Sequence, residues 1–374
     1  MAAATEGFTS RKLGEGGFGA VYEGRLRGEA VAVKRCVLPA DVAAMAGAAG
    51  DADGLAVEVR ALFEVQHANV VRLRAWSDDG EAKCLAYELC AGGDVATLLE
   101  RSRASGEGGG EGDDVFSVRQ RLCVALDAAR GLLHVHTHHE RGGSDGDGGA
   151  GGDTAKRVHR DVKPENLLVT GDGVTKVADF GLMRVVAAAG GGSVAYTYVP
   201  KGTFNYMPPE GMAGAVSQKF DVYSFGIVLL QLATGRRSFE AAAEAGGEGR
   251  VLVNDVELAV DAATAAGTDA PLHALLDPHC TWAAAAAADD DGGDDNSDDD
   301  DDGDGRRRGL QCDGRDVGVA LLRLGRRCAH HLREERPTMR EVVEELEAVG
   351  GRAGVHGGGA GPGGGMARVG GGRG

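Results

Sequence analysis

The feature that most constrains this chain is a glycine-rich loop near its N-terminus. Glycines at 14, 16 and 19 remove Cβ atoms, so backbone amides can approach a polyphosphate closely. The same G-x-G-x-x-G spacing opens a helix in dinucleotide-binding folds, where an acidic residue follows about 20 positions later. Here β-branched, alternating residues at 21–24 and 30–34 predict two strands after the loop. The residue twenty positions after Gly14 is Lys34, so the loop favours a different phosphate-binding fold.

The order of predicted elements along the chain indicates the fold class. Apolar residues at 55, 59, 62, 63 and 65 predict a helix over residues 55–66. Helical patterns dominate after residue 115, over 119–136, 221–234 and 317–332. Strands followed by helices predict an α+β fold in two lobes. We expect a small β-rich lobe with one main helix over about residues 8–90, and a large, mostly helical lobe over about 91–349.

Low-complexity segments interrupt this pattern near residues 40–54, 106–114, 142–152 and 283–305. They are rich in Gly, Ala or Asp and carry little to bury, so we expect insertions without a packed structure. Eleven aspartates lie between Asp289 and Asp304, which accounts for most of the net charge of −17. A solvated spacer explains this tract better than a calcium loop, because the spacing of an EF-hand is missing. The glycine-dominated residues 351–374 are expected to form a disordered tail.

Composition argues against several classes of protein. The longest uncharged stretch, residues 185–200, is too short and too polar to span a bilayer, and no basic-plus-apolar secretion signal begins the chain. Seven cysteines without a C-x-x-C pair indicate reduced thiols and a cytoplasmic location. No basic stripe points to a nucleic acid as a partner.

Three further motifs follow the glycine loop in order. Residues 158–168 are VHRDVKPENLL, residues 179–181 are DFG and residues 208–210 are PPE. Together with the loop and the strand that ends at Lys34, they resemble the motifs of the eukaryotic protein kinases. The resemblance covers about residues 8–349 and implies the two-lobed protein-kinase fold.

The resemblance also implies a chemical role for each motif. Asp161 would accept the proton of a substrate hydroxyl, and Lys163 would neutralise the γ-phosphate. Asn166 and Asp179 would hold Mg²⁺, which prefers oxygen ligands. Lys34 would bind the α- and β-phosphates. The implied cofactors are therefore ATP and Mg²⁺, and the implied partner is a protein substrate.

Lys34 in such a fold needs a carboxylate from the helix predicted over residues 55–66. Glu58, near the start of that helix, is the predicted partner. Asp53 and Glu64 are weaker candidates.

The walls of the ATP site follow from the same resemblance. Residues 85–90 would form the hinge, with Tyr87 as gatekeeper and backbone groups of Glu88 and Cys90 at the adenine edge. Apolar side chains would sandwich the adenine ring: Val21, Ala32 and Leu168. The residues covering the phosphates would be Leu13, Gly14, Glu15, Gly16, Gly17, Phe18 and Gly19.

Further segments resemble the plant receptor-like/Pelle kinases more narrowly. These are TEGFT at 5–9, KFDVYSFG at 219–226, LDP at 276–278 and RPTM at 336–339. They imply Ser or Thr as the acceptor, and Lys163 agrees with that class. Pro208 and Asn205 stand where Ala and Gly are usual. Both lie in the segment that would present the peptide, so they bear on specificity more than on catalysis.

Arg160, directly before the predicted base, indicates regulation by phosphorylation. In kinases with this arrangement, a phosphate on the activation segment, here residues 179–210, meets the arginine. Thr197 is the best placed acceptor, ahead of Ser193 and the tyrosines at 196 and 198. The hydroxyl of Thr203 should contact Asp161 and Lys163, so its modification would inhibit. The phosphate could come from an upstream receptor or from the chain itself.

Two alternatives remain open for function. The chain could be a pseudokinase that acts as a binding scaffold, although Lys34, Asp161, Asn166 and Asp179 are all present. It could also be the cytoplasmic piece of a receptor kinase whose membrane span lies outside this sequence. The histidines at 134, 136, 138 and 139 are better explained as the end of a helix than as a metal site.

Overall fold

The computed structural model describes residues 1–16, 19–36, 54–77, 83–105, 116–138, 156–186, 195–196, 202–241, 249–280, 282 and 313–355. Strands precede helices along the chain, which confirms the α+β class. The segments predicted as insertions lie outside the described residues, except that Gly54 begins a helix.

Five antiparallel strands between residues 12 and 88 form the part that we call the sheet lobe. Their order in the sheet is β1-β2-β3-β5-β4. Valines at 31 and 33 are buried on one face and alternate with the less buried Ala30, Ala32 and Lys34, as strand periodicity requires. In the register, Lys34 on β3 lies between Val21 of β2 and Leu85 of β5, near the middle of the sheet. The strands are β1 Lys12–Gly16, β2 Gly19–Leu26, β3 Glu29–Cys36, β4 Leu73–Ser77 and β5 Lys83–Glu88.

Helix α1, Gly54–Glu64, lies between β3 and β4 in the sequence and belongs to the sheet lobe. Its apolar side buries Ala61 and Leu62. The helix packs against the 3₁₀ turn Phe180–Leu182, which includes residues of the DFG motif. The helix therefore lies between the sheet and the catalytic segment.

The rest of the described chain, which we call the helical lobe, is built around helices α3 and α5. Helix α5 is mostly apolar and almost wholly buried, as such a helix must be. Helices α3 and α9 each begin with a capping box, at Ser117 and Thr338. The helices are α2 Val95–Ser105, α3 Val118–Thr137, α4 Pro209–Met212, α5 Gln218–Thr234, α6 Leu252–Ala266, α7 Ala270–His273, α8 Gly314–Cys328 and α9 Met339–Ala353.

A buried ion pair joins α3 to the segment after α7. The Arg121 guanidinium lies 2.5 Å from the Asp277 carboxylate, and neither side chain is more than 1% exposed. Arg121 also lies over the rings of Phe116 and Trp282. Removing one member of such a pair typically costs about 3–5 kcal/mol, so these residues are structural.

Short strands shape the cleft between the lobes. Strands β7 and β10 pair antiparallel, as do β8 and β9, and these pairs carry the segments before and after the predicted catalytic residues. Val70 bridges to Val177 and links the two lobes. The short strands are β6 Gly93–Asp94, β7 Lys156–Val158, β8 Leu167–Val169, β9 Thr175–Val177, β10 Arg184–Val186, β11 Ala195–Tyr196, β12 Ala215–Val216, β13 Phe239–Glu240 and β14 Arg250–Val251.

Three predicted boundaries differ from the observed elements. Residues 85–88 of the predicted hinge belong to β5, which stays paired with β3 up to Glu88. The helix predicted over 317–332 is observed as α8, Gly314–Cys328, and the apolar Leu332 lies exposed beyond its end. The disordered tail is predicted from residue 351, but residues 351–353 belong to α9 and Val355 is buried.

Candidate active site

Lys34 is the centre of a charged cluster between the sheet and the helical lobe. Its Nζ lies 2.8 Å from Oδ1 of Asp179 and 3.1 Å from Oε2 of Glu58. Burial disfavours the charged amine, but the two carboxylates outweigh it and raise the pKa of Lys34 above its ordinary value. The side chain is therefore a cation at neutral pH, held between Glu58 of α1 and Asp179 of the DFG motif.

Sequence patterns offer three acidic residues as candidate partners of Lys34. Glu58 is buried and contacts Lys34. Glu64, six residues later on the same helix, contacts Arg157 instead. Asp53 lies outside the described residues.

A second buried contact holds the Glu58 carboxylate. The Tyr87 hydroxyl donates to Oε1 at 2.5 Å, while Lys34 occupies Oε2. Burial, followed by the negative charge of Glu58, raises the pKa of the Tyr87 phenol well above its ordinary value. Tyr87 thus remains a neutral donor that orients Glu58 toward Lys34.

Asp161 lies three residues after the end of β7. Each of its two carboxylate oxygens is hydrogen-bonded. Oδ1 accepts from Thr203 Oγ1 at 2.7 Å, and Oδ2 lies 2.9 Å from both Lys163 Nζ and Asn166 Nδ2. Burial opposes ionisation, but the Lys163 charge and the hydrogen bonds from Lys163 and Thr203 lower the pKa of Asp161 below its ordinary value. The carboxylate is therefore ionised at neutral pH.

Thr203 closes this cluster from the activation segment. Its hydroxyl accepts from Lys163 Nζ at 2.8 Å while it donates to Asp161. The preceding Gly202 has a φ of +135°, and a Cβ there would lie 2.8 Å from the Arg160 carbonyl oxygen. A glycine is required at this position for Thr203 to come so close.

The backbone of the catalytic loop is held from below by Asp221 of α5. Its carboxylate accepts from the backbone amides of His159 and Arg160 at 2.8 Å each, and from His136 Nε2 at 2.8 Å. These bonds support the left-handed backbone of Arg160, whose φ is +73°. The Arg160 side chain is buried beside the site.

His159 connects the catalytic loop to the DFG motif. Its Nδ1 accepts from the Asp161 amide, so Nε2 carries the proton and donates to the Ala178 carbonyl at 3.0 Å. Its ring packs edge-on against Phe180 at 4.7 Å. The loop containing Asp161 and the segment containing Asp179 are thereby fixed relative to each other.

Asn166 and Asp179 offer oxygen ligands that suit a hard divalent cation. The Asn166 amide nitrogen donates to Asp161, at its carbonyl oxygen and at Oδ2, so the amide oxygen is the atom left to bind an ion. Asp179 gives Oδ1 to Lys34 and is one-quarter exposed in the cleft. The residues present therefore fit a divalent ion.

The predicted adenine site takes residues from both lobes. Val21 and Ala32 lie on β2 and β3, whereas Leu168 lies on β8. Glu88 ends β5, and its carboxylate contacts Lys176 Nζ at 3.0 Å. The Cys90 carbonyl accepts from the Gly93 amide. A ring between these residues would be held by the two lobes together.

The described residues of the glycine loop lie on the paired strands β1 and β2. Leu13, Gly14, Glu15 and Gly16 lie on β1, while Gly17 and Phe18 lie outside the described residues. Gly19 begins β2 with a φ of +125°, and a Cβ there would collide with the Arg35 carbonyl oxygen. This glycine is therefore required by the fold as well as by phosphate access.

The histidine cluster at the end of α3 has structural contacts. His136 bonds to Asp221, while His134 stacks on His67 with ring centroids 4.7 Å apart. Among the described residues, no group of three or more His, Cys, Asp or Glu is arranged to hold a metal ion. Nor does any helix in the described ranges combine the length and apolar character needed to cross a membrane.

The sequence did not predict that Asp221 supports this site, or that Tyr87, the predicted gatekeeper, contacts Glu58. Asp221 served only as part of a subfamily motif, although a carboxylate inside an otherwise apolar helix signals a buried hydrogen-bonding role. The hydroxyl contact of Tyr87 with Glu58 had no local signal, because the residues are 29 positions apart.

An ion pair anchors the end of the activation segment. Arg336 donates to both oxygens of Glu210, at 2.6 and 2.9 Å, and its guanidinium lies over the Tyr223 ring. The pair ties α4 to the segment before α9. It keeps the segment that begins at Gly202 in place.

Comparison with known proteins agrees with this geometry. The protein kinase domain family matches residues 8–345. LysM domain receptor-like kinase 10 of Oryza sativa subsp. japonica is 31% identical over 92% of this chain and 46% of its own length. Chitin elicitor receptor kinase 1 of Arabidopsis thaliana is 36% identical over 69% of this chain and 36% of its own length. A probable leucine-rich-repeat receptor-like serine/threonine-protein kinase of Arabidopsis thaliana is 35% identical over 73% of this chain and 28% of its own length. The chain thus spans less than half the length of these relatives.

Proposed function

This chain belongs to the protein kinase family, and from that premise we propose that it transfers the γ-phosphate of ATP to Ser and Thr hydroxyls of proteins. The resemblance to plant receptor-like kinases is confirmed by these relatives. One observation carries the proposal. The Thr203 hydroxyl donates to Asp161 and accepts from Lys163, which is the arrangement that a substrate hydroxyl needs beside a general base.

The proposed roles follow from the contacts of each side chain. Asp161 takes the proton of the acceptor hydroxyl, and Lys163 neutralises charge on the transferred phosphoryl group. Lys34, held by Glu58 and Asp179, binds the α- and β-phosphates. When bound, ATP would supply the phosphoryl group, and a divalent ion held by Asn166 and Asp179 would offset its negative charge.

Finer points of the proposal concern the ion and the setting. We assign Mg²⁺ to the divalent site, because Mg²⁺ suits a site of few protein oxygens shared with phosphates. The receptor-like relatives support a signalling role on the cytoplasmic side of a membrane. In that setting, an upstream receptor or the chain itself would phosphorylate the activation segment.

Incubation of the purified chain with labelled ATP and Mg²⁺ tests the proposal. We expect label on Ser and Thr residues, located by mass spectrometry, and none when EDTA removes the metal. Asp172→Asn, on an exposed turn between β8 and β9, should label as the parent does. Binding of ATP without any transfer would favour the scaffold alternative, and label confined to Tyr would refute the acceptor class.

Phosphorylation of Thr197 is the regulatory prediction. Thr197 lies outside the described residues, whereas Arg160, the expected partner of its phosphate, is buried next to Asp161. A phosphate adds about −1.5 to −2 charges, which can order the segment against such a cation. Thr197→Ala should lower the turnover rate severalfold, whereas Ser193→Ala should not. Parent-like activity of Thr197→Ala with phosphate only at Ser193 would contradict the assignment.

Thr203 has the opposite proposed effect. Its hydroxyl lies within hydrogen-bond distance of Asp161 and Lys163. A phosphate there would place negative charge against the Asp161 carboxylate. Modification of Thr203 would therefore inhibit.

A further inference from the structure

Glu64, the last residue of α1, makes an ion pair that spans the two lobes. Its Oε2 lies 2.5 Å from Nη2 of Arg157 on β7, and Arg60 contacts its other oxygen at 3.1 Å. The Arg157 side chain is only 1% exposed. Its Nη1 donates to the carbonyl of His138, the residue that ends α3. Arg157 therefore joins the end of α1 to the end of α3.

The position of Arg157 along the chain makes this contact relevant to the reaction. Two residues after it comes His159, and four residues after it comes Asp161. Across the β7–β10 ladder, Arg157 is paired with Val185, in the strand that follows the DFG motif. The same arginine thus lies on the strand that leads into the catalytic loop and pairs with the strand that follows the DFG motif.

Glu58 and Glu64 are both on helix α1. Because hydrogen bonds between successive turns stiffen an α-helix, a displacement of α1 shifts both carboxylates. Any movement of α1 away from the helical lobe would separate Glu58 from Lys34 and Glu64 from Arg157 together. It would also leave the buried Arg157 cation without this carboxylate, which is unfavourable in a site of low exposure.

We propose that the Glu64–Arg157 ion pair positions α1 for phosphoryl transfer, holding the helix where Glu58 reaches Lys34 and coupling that placement to the catalytic loop. The proposal rests on the proposed kinase function. Glu64 and Arg157 are positioning residues, since they act through Glu58 and through the loop at Asp161. The pair adds a contact at the C-terminal end of α1 to those that Glu58 makes nearer its start.

Glu64→Gln tests this role, because it keeps the side-chain shape and removes the charge. We expect kcat/KM for ATP to fall about fivefold to tenfold, within the usual range for coupling between sites. In a Glu58→Gln background, the same change should cost less than about twofold, because residues acting through one contact are not additive. Glu64→Asp, which keeps the charge, should recover part of the loss.

Glu347→Gln is the matched control. It removes a 2.8 Å pair with Arg130 that joins α3 to α9, away from α1. Its kcat/KM should equal that of the parent. Parent-like activity of Glu64→Gln, or an equal loss in both backgrounds, would overturn the proposal, since a purely structural contact would give additive effects.

Hydrogen exchange separates this proposal from the proposed function. Backbone amides of residues 54–64 should exchange severalfold faster in Glu64→Gln than in the parent, and at the parental rate in Glu347→Gln. This readout needs no turnover, so an inactive parent would refute only the kinase activity. Unchanged exchange in Glu64→Gln would overturn the positioning role.

Discussion

Asp161→Asn should lower phosphoryl transfer by about a thousandfold while ATP still binds. General-base catalysis contributes typically about 10²–10⁴ to a rate, and an amide cannot accept the substrate proton. The shape of the side chain is conserved, so contacts with Thr203 and Asn166 can persist in part. The lowered pKa of Asp161 means that the parent has an ionised base throughout the neutral range.

Single-turnover transfer and ATP affinity, measured on the same preparation, check this prediction. Asp172→Asn makes the same chemical change at an exposed turn, and it should leave both quantities unchanged. Wild-type turnover in Asp161→Asn would remove the proposed base from the mechanism. Loss of ATP binding would show that the carboxylate supports the nucleotide site instead.

Lys34→Met should reduce kcat/KM for ATP by about a hundredfold or more. The change deletes the cation that Glu58 and Asp179 share at 3.1 and 2.8 Å. Two carboxylates would then face the cleft without it, and their charges would repel the phosphates of ATP. Because the contacts to phosphate act in both the bound state and the transition state, both kcat and KM should worsen.

Steady-state kinetics over a range of ATP concentrations measure this effect. Arg25→Met offers a control on the neighbouring strand β2, where the arginine contacts only a turn carbonyl among its described hydrogen bonds. That variant should behave as the parent does. If Lys34→Met kept the parental KM and kcat, the phosphate-binding role of Lys34 would be wrong.

Much of the fold could be predicted because local chemistry is strict at the motif residues. Alternating β-branched residues around Lys34 allow little but a strand, and the observed β3 runs over Glu29–Cys36. The apolar positions of residues 55–66 predict a helix, and α1 is observed at Gly54–Glu64. Short-range periodicity is enough for such elements.

Contacts between distant residues could not be predicted in the same way. Arg157 and Glu64 are 93 positions apart, and nothing in either local sequence marks them as partners. The same holds for Asp221, which supports a loop about 60 residues earlier. These contacts depend on how the two lobes pack, which no local pattern contains.

The boundary of the C-terminal tail shows a further limit. Glycines at 350 and 351 suggest a flexible chain, yet both belong to α9. A Cβ on Gly350 would lie 2.7 Å from the Val355 carbonyl oxygen and 3.1 Å from Leu126. Here glycine permits close packing, a reason that composition alone does not reveal.

The most direct test of the proposed kinase function compares the parent with Asp161→Asn. It measures ATP binding and phosphoryl transfer to Ser, Thr and Tyr peptides. We predict that both proteins bind ATP with similar affinity in the presence of Mg²⁺. Only the parent should transfer label, and only to Ser and Thr. Equal transfer by both proteins, or binding by both without transfer by either, would contradict the proposed function.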